Sequence, residues 1–145
     1  MYINGSSILH IVNEATQFQA AKFLLSESAI DTWNAIQEKW IDTYISLPDM
    51  IYTDSGCNFI SEEFYQNATA IAITVKIAPV EAYNLIRLVE RYHASLQQAY
   101  KVISTDMAGS GLDRNQILQM AVKAVNDTAG SNSLVPTLLL FGAYL

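Results

Sequence analysis

Ile51-Tyr52-Thr53-Asp54-Ser55-Gly56-Cys57-Asn58-Phe59-Ile60-Ser61 is the stretch on which the fold turns. Met50 to Thr53 is apolar and β-rich, which predicts a short buried strand. It runs into Asp54-Ser55-Gly56, residues suited to a turn. Ser61 then starts a helix, with Glu62 and Glu63 in its first turn, where carboxylates favour the positive end of the helix dipole. Thr74 to Ile77 reads as another strand, ended by Pro79. A crossover of this kind is expected to be right-handed.

Upstream, Ser7 to Val12 and Gln17 to Leu24 read as strands, joined through Asn13-Glu14-Ala15-Thr16. Met1 to Asn4 reads either as the remains of an earlier strand, with Asn4-Gly5 as a hairpin turn, or as a frayed terminus. From Ser28 to Ile45 the period becomes helical: Ile30, Trp33, Ile36, Trp40 and Tyr44 form one stripe. Ser28 is its N-cap, Pro48 stops it, and both tryptophans are expected as core anchors. Downstream, a long helix is expected from Ala82 to Ile103, with Leu85, Leu88, Val89, Tyr92, Leu96, Ala99, Tyr100 and Ile103 as its stripe. A glycine-rich loop follows at Met107 to Leu112. Arg114 to Thr128 is helical again, closed by Gly130, and Pro136 opens a short helix from Thr137 to Phe141. Antiparallel strands followed by βαβα predict an α/β fold, a mixed central sheet flanked by helices. Loops at the carboxyl ends of the later strands would form the site crevice.

The chain has 145 residues, enough for one domain with one core. At 51% hydrophobic and 15% charged it is an ordinary globular composition, not a disordered one. No apolar run is long enough to cross a bilayer, and no basic segment precedes an apolar one at the start, so neither a membrane role nor a secretory leader is expected. Cys57 is the only cysteine, which excludes an internal disulfide and a cysteine zinc cluster and fits an intracellular location, nuclear or cytoplasmic. The net charge of −6 argues against a strong independent DNA binder, while leaving room for a small cationic face.

Two acids stand out by position. Asp54 ends a strand before a turn, and Glu90 lies inside the long helix, with 35 residues between them. Their ordinary readings are a turn aspartate and a solvated helix glutamate. Their alternative is convergence on a hard cation. Magnesium takes oxygen ligands and commonly only one or two protein carboxylates. Two such ions can clamp the attacking and leaving oxygens of a phosphoryl displacement. Arg87, Arg91, Gln98 and Lys101 fall near one side of the long helix, either as contacts to backbone phosphates or as a solvated face. His93 lies three residues from Glu90, near the site or simply structural; His10 reads as packing. Asn58 either supports Asp54 or holds the turn. Cys57 has no basic neighbours to activate it.

The quoted stretch resembles the T-D-x-G-x-x-F-x-S motif of retroviral-type integrases, which carries the second acid of their D,D-35-E triad. Leu88-Val89-Glu90-Arg91-Tyr92-His93 resembles the surroundings of the third acid, at the matching interval. Ile8 to Phe18 is similar to the family's second strand and following turn. Ala121 to Asp127 with Leu134-Val135-Pro136 to Gly142 is similar to the helix, proline and F-G element of LTR-retrotransposon members. The resemblance covers nearly the whole chain. It implies an RNase H-like catalytic core spanning residues 1–145. It also implies Asp54 and Glu90 as metal ligands, magnesium or manganese as cofactor, and DNA as partner. The reaction would be DNA integration: 3′-end processing and strand transfer of retrotransposon DNA. Pairing through helix faces, a homodimer, is expected as well.

Three departures qualify this. No aspartate occurs before Asp31, and Glu14, the earliest acid, lies in the wrong turn. If Gly5 is the glycine that opens the first hairpin, the first acid would stand just ahead of Met1. The expectation is thus a core truncated before that acid, its first strand shortened or missing, derived from a pol polyprotein and inactive as this chain. Tyr83, Leu85 and Arg87 stand where relatives often read E-A-H-x-S-I-G, so a histidine, a serine and a glycine are replaced. Asn13 stands where many relatives carry an aspartate and is not counted as a ligand. The competing reading is a catalytically silent remnant, acting at most as a nucleic-acid-binding or dimerisation module.

Overall fold

The computed structural model describes residues 1–44, 46–79, 83–130 and 132–145, with backbone alone at Tyr44, Tyr83 and Ile86. The expected helix end at Ile45, its stripe position Tyr44 and the expected helix start at Ala82 therefore fall outside the described residues or side chains. Elements run β1 (Tyr2–Ile3), β2 (Ser6–Val12), β3 (Gln19–Phe23), α1 (Ala29–Ile36), a π-helical turn (Gln37–Ile41) and α2 (Asp42–Tyr44). There follow β4 (Met50–Thr53), α3 (Glu62–Ala70), β5 (Thr74–Ile77), α4 (Tyr83–Asp106), α5 (Arg114–Asn126) and α6 (Pro136–Phe141). Among the described residues the strands form two sheets, a three-stranded one ordered β1-β2-β3 and a parallel pair β4-β5. The chain divides into two compact units. One comprises Tyr2–Leu9 and Phe23–Leu88; the other comprises Met1, His10–Lys22 and Val89–Leu145.

In the first unit β1 and β2 pair antiparallel, Tyr2 opposite Ser7 and Ile3 opposite Ser6. Asn4 (φ 49°) and Gly5 (φ 78°) both take the left-handed conformation that a two-residue hairpin needs. Ser28 caps α1, its side chain accepting from the Asp31 amide at 3.2 Å. The expected single helix from Ser28 is in fact interrupted by the π turn at Gln37–Ile41, which the apolar stripe does not reveal because Trp33 and Trp40 are both still buried. Ile30, expected on that stripe, is 44% exposed. Phe64 of α3 is wholly buried, meeting the rings of Trp33 and Phe59 edge-on at 5.5 Å from each centroid. The expected burial of β4 is corrected too: Thr53 is buried, but Met50 and Tyr52 are exposed.

In the second unit Asn13 builds the β2–β3 turn: its Oδ1 accepts from the Thr16 amide at 2.8 Å and from the Thr16 hydroxyl at 3.0 Å. The outward edge of β3 is then covered by side-chain amides of α5. The Gln19 amide donates to Asn126 Oδ1 and Asn126 Nδ2 donates to the Gln19 carbonyl, both at 2.8 Å, while Gln119 Nε2 donates to the Ala21 carbonyl at 3.0 Å. A strand edge that would otherwise lie unpaired is thereby satisfied. Leu96, Leu118 and Ala121 are wholly buried, whereas Val89, expected on the buried stripe of α4, is 37% exposed. α5 begins with a capping box of Asp113 and Gln116. Pro136 opens α6, and Gly142 (φ 72°) ends it.

Candidate active site

Asp54 stands at the carboxyl end of β4, where the parallel ladder closes with the Ala78 amide donating to the Thr53 carbonyl at 2.8 Å. Its carboxylate is exposed, and Oδ1 accepts from the Gly56 amide at 3.0 Å, an Asx turn. The Gly56 carbonyl in turn accepts from the Phe59 and Ile60 amides at 2.9 and 3.2 Å. A Cβ on Gly56 would lie 2.9 Å from both Asp54 Oδ1 and Asn58 Oδ1, so a side chain there would push those two oxygens from their present places. Asn58 Nδ2 donates to the hydroxyl of Thr32 on α1 at 2.9 Å. That bond ties the loop to α1. Ser61 caps α3, accepting from the Phe64 amide at 3.2 Å, so the loop is pinned at its far end as well. The Thr53 hydroxyl, just before Asp54, is buried and has no hydrogen-bond partner among the described residues.

Glu90 is exposed on α4. Arg87, Arg91 and Lys101 are exposed on the same helix, at positions that helical periodicity places along one face. Arg91 also lines a cleft of about 380 Å³ with Gln17, Gln19, Ser95 and Thr128. His93 is half-buried, and its ring packs on that of His10, with centroids 5.0 Å apart and planes tilted 39°. His10 Nε2 meets Gln19 Oε1 at 3.0 Å, so the neutral ring carries its proton on Nε2; Nδ1 is buried with no partner among the described residues. Burial, and after it the neighbouring His93, push the His10 pKa from 6.5 down to about 3, against the opposing effect of the Gln19 bond.

The structure thus brings Asp54, Gly56 and Asn58 together in the first unit, and His10, His93 and Gln19 in the second. Arg87 belongs to the first unit's part of α4, and Glu90, Arg91 and Lys101 to the second's. Among the described residues no group of three or more His, Cys, Asp and Glu side chains could hold a metal ion. Carboxylate oxygens such as those of Asp54 and Glu90 are donors of the kind a hard cation takes. Cys57 is exposed as a free thiol. No helix among the described residues is long and apolar enough to cross a membrane. Thr32 and Gln19 escape sequence reasoning, because a mid-helix threonine and a strand glutamine carry no local signal of a distant partner.

No family model matches the sequence. No curated protein matches it either. Solved structures do. The catalytic core domain of BIV integrase matches with a TM-score of 0.80 at 18% identity, over 98% of this chain and 90% of that one. The fold is that of a retroviral integrase catalytic core. The HTLV-2 integrase catalytic core domain in complex with magnesium, in trimeric form, matches this integrase-core fold with a TM-score of 0.73 at 16% identity, over 93% of both chains. A chain of the simian T-cell lymphotropic virus intasome in complex with PP2A regulatory subunit B56 gamma matches with a TM-score of 0.79 at 19% identity, over 97% of this chain and 54% of that one. The expected RNase H-like α/β class holds, with a first strand of two residues.

Proposed function

We propose that this chain is an integrase-type polynucleotidyl transferase core for DNA integration, derived from a retrotransposon polyprotein and spanning residues 1–145 as one domain. The observation that carries the reading is Asp54. Within an integrase-core fold it stands exposed at the carboxyl end of a parallel strand, in a T-D-x-G stretch closed around Gly56. That end of an α/β sheet is where ligands bind. In this reading Asp54 and Glu90 are oxygen ligands for magnesium or manganese, which when bound would activate phosphodiester chemistry. Arg87, Arg91 and Lys101 hold DNA phosphates, and Asn58 and His93 support the two acids. The HTLV-2 core, which shares the fold, is described in complex with magnesium.

The 145 residues are proposed to be inactive in 3′-end processing and strand transfer, since no aspartate precedes Asp31 to complete an acid triad. Magnesium titration followed by thermal shift, comparing the parent with Asp54→Asn, tests the ligand reading. A rise in Tm with magnesium that the variant loses is expected. Equal responses would remove Asp54 as a ligand, and strand transfer by the purified chain would overturn the inactivity. The second reading is the silent module pairing with copies of itself, and Ile30 on α1 and Met120 on α5, each exposed and apolar, favour it. The HTLV-2 core is described in both dimeric and trimeric forms. That reading requires equal magnesium responses in the same titration.

A further inference from the structure

We propose that Thr32 is a positioning residue for the loop that carries Asp54, a role that rests on the reading of Asp54 as a metal-contacting acid. Thr32 lies in α1, 22 positions before that acid, and is wholly buried. A hydroxyl in such a place costs stability unless it is bonded. Its Oγ1 takes the side-chain amide of Asn58 at 2.9 Å, a bond from the helix to the loop. Asn58 Oδ1 and Asp54 Oδ1 each stand 2.9 Å from the point where Gly56 would bear a Cβ, so the two side chains flank the same glycine. The Asp54 carboxylate is itself tied to the Gly56 amide. The order Thr32, Asn58, Gly56, Asp54 therefore leads from a buried helix to an exposed acid, with a hydrogen bond at each end and close approach of the Asn58 and Asp54 side chains over Gly56 between them. At the other end of the loop Ser61 caps α3 and its hydroxyl donates to the Asn58 carbonyl at 3.4 Å, which holds the backbone of Asn58 but leaves its side-chain amide to Thr32. Without Thr32 the amide of Asn58 loses its acceptor, and the carboxylate samples more than one direction. Thr32 never touches a substrate in this scheme; it narrows where the carboxylate points.

The test uses the 145-residue chain and two readouts. Thr32→Val keeps the shape of the side chain and removes the acceptor; Thr32→Ser keeps the hydroxyl. Amide exchange of Gly56, Phe59 and Ile60 should quicken roughly five- to tenfold in Thr32→Val and return to the parent rate in Thr32→Ser, while amides of the Phe64 core keep their protection. Should Thr32→Val fail to fold, Asn58→Ala breaks the same bond from the loop side and should quicken the same amides. Exchange at 56–60 that stays at the parent rate, or that rises in step with the whole unit, overturns the proposal. The second readout is broadening of the Gly56 amide resonance by manganese, expected in the parent and weakened in Thr32→Val. If the parent itself is not broadened, the ligand reading of Asp54 fails, while the exchange arm still decides the positioning. If the parent is broadened and Thr32→Val is broadened equally, the positioning fails alone.

Discussion

His10 shows what a single side chain contributes and how that contribution can be measured. Its Nε2–H is spent on Gln19 and its Nδ1 is shut away from solvent, so protonation would place a charge against His93 in a dry site. The folded-state pKa of about 3 lies below the ordinary 6.5, so between these values the unfolded chain binds a proton that the folded chain refuses. Stability from this group is thus fully present above pH 6.5 and is lost as the pH falls towards 3, at a limiting slope of about 1.4 kcal/mol per pH unit. Thermal melts between pH 7 and pH 4 should show the parent losing stability faster than His10→Phe. Parallel curves for the two proteins would show that His10 is protonated in the folded state. Nothing in the local sequence announces this behaviour. A histidine at a strand position reads as packing, and packing is correct, but the ring it packs on comes from α4, 83 positions away.

At the scale of elements the interplay of α5 with β3 is the most exposed to test. Asn126 is 2% exposed and supplies both a donor and an acceptor to Gln19, acting as a strand partner made of one side chain. Asn126→Ala leaves a buried amide and carbonyl unpaired, each costing about 1–3 kcal/mol, so a loss of several kcal/mol and a lower Tm are expected. Asn126→Asp keeps the acceptor and loses only the donor, and should cost less near pH 4 than at pH 7. A variant Asn126→Ala as stable as the parent would show that β3 does not rely on α5 for its outer edge. This docking was hidden from the sequence, where 107 positions separate the two residues and both are polar. By contrast the Asp54 loop was legible almost residue by residue. Its turn, its glycine and its helix cap are all local, and each is dictated by neighbours within a few positions. The π turn at Gln37–Ile41 was not, because an extra residue in the helical ladder leaves Trp33 and Trp40 still pointing inward. The exposure of Met50, Tyr52 and Ile30 was misread for a related reason: an apolar run says that a face can be buried, not what arrives to bury it.

For the whole molecule the governing quantity is charge. Eight Lys and Arg face fourteen Asp and Glu, a net charge of −6, so DNA is repelled on average and any grip must be local. Lys39 pairs with Glu38 at 3.4 Å and Lys123 with Asp127 at 2.8 Å, so part of the positive charge is already engaged. Arg87, Arg91 and Lys101 are exposed along α4. Three phosphate contacts release about three counterions, so log affinity for duplex DNA should fall with log salt at a slope of about −2.7. That is a shallow dependence, and the affinity itself should sit in the non-specific range, with a Kd of roughly 10⁻⁴ to 10⁻⁶ M at physiological salt. Replacing Arg87, Arg91 and Lys101 together by Gln should remove most of the slope as well as most of the binding, measured by fluorescence anisotropy across a salt series. If the triple variant keeps the parental slope, the cations that meet DNA lie elsewhere. If the parent shows a slope of about −6 or steeper, the acidic balance is outweighed by a basic surface larger than α4 presents.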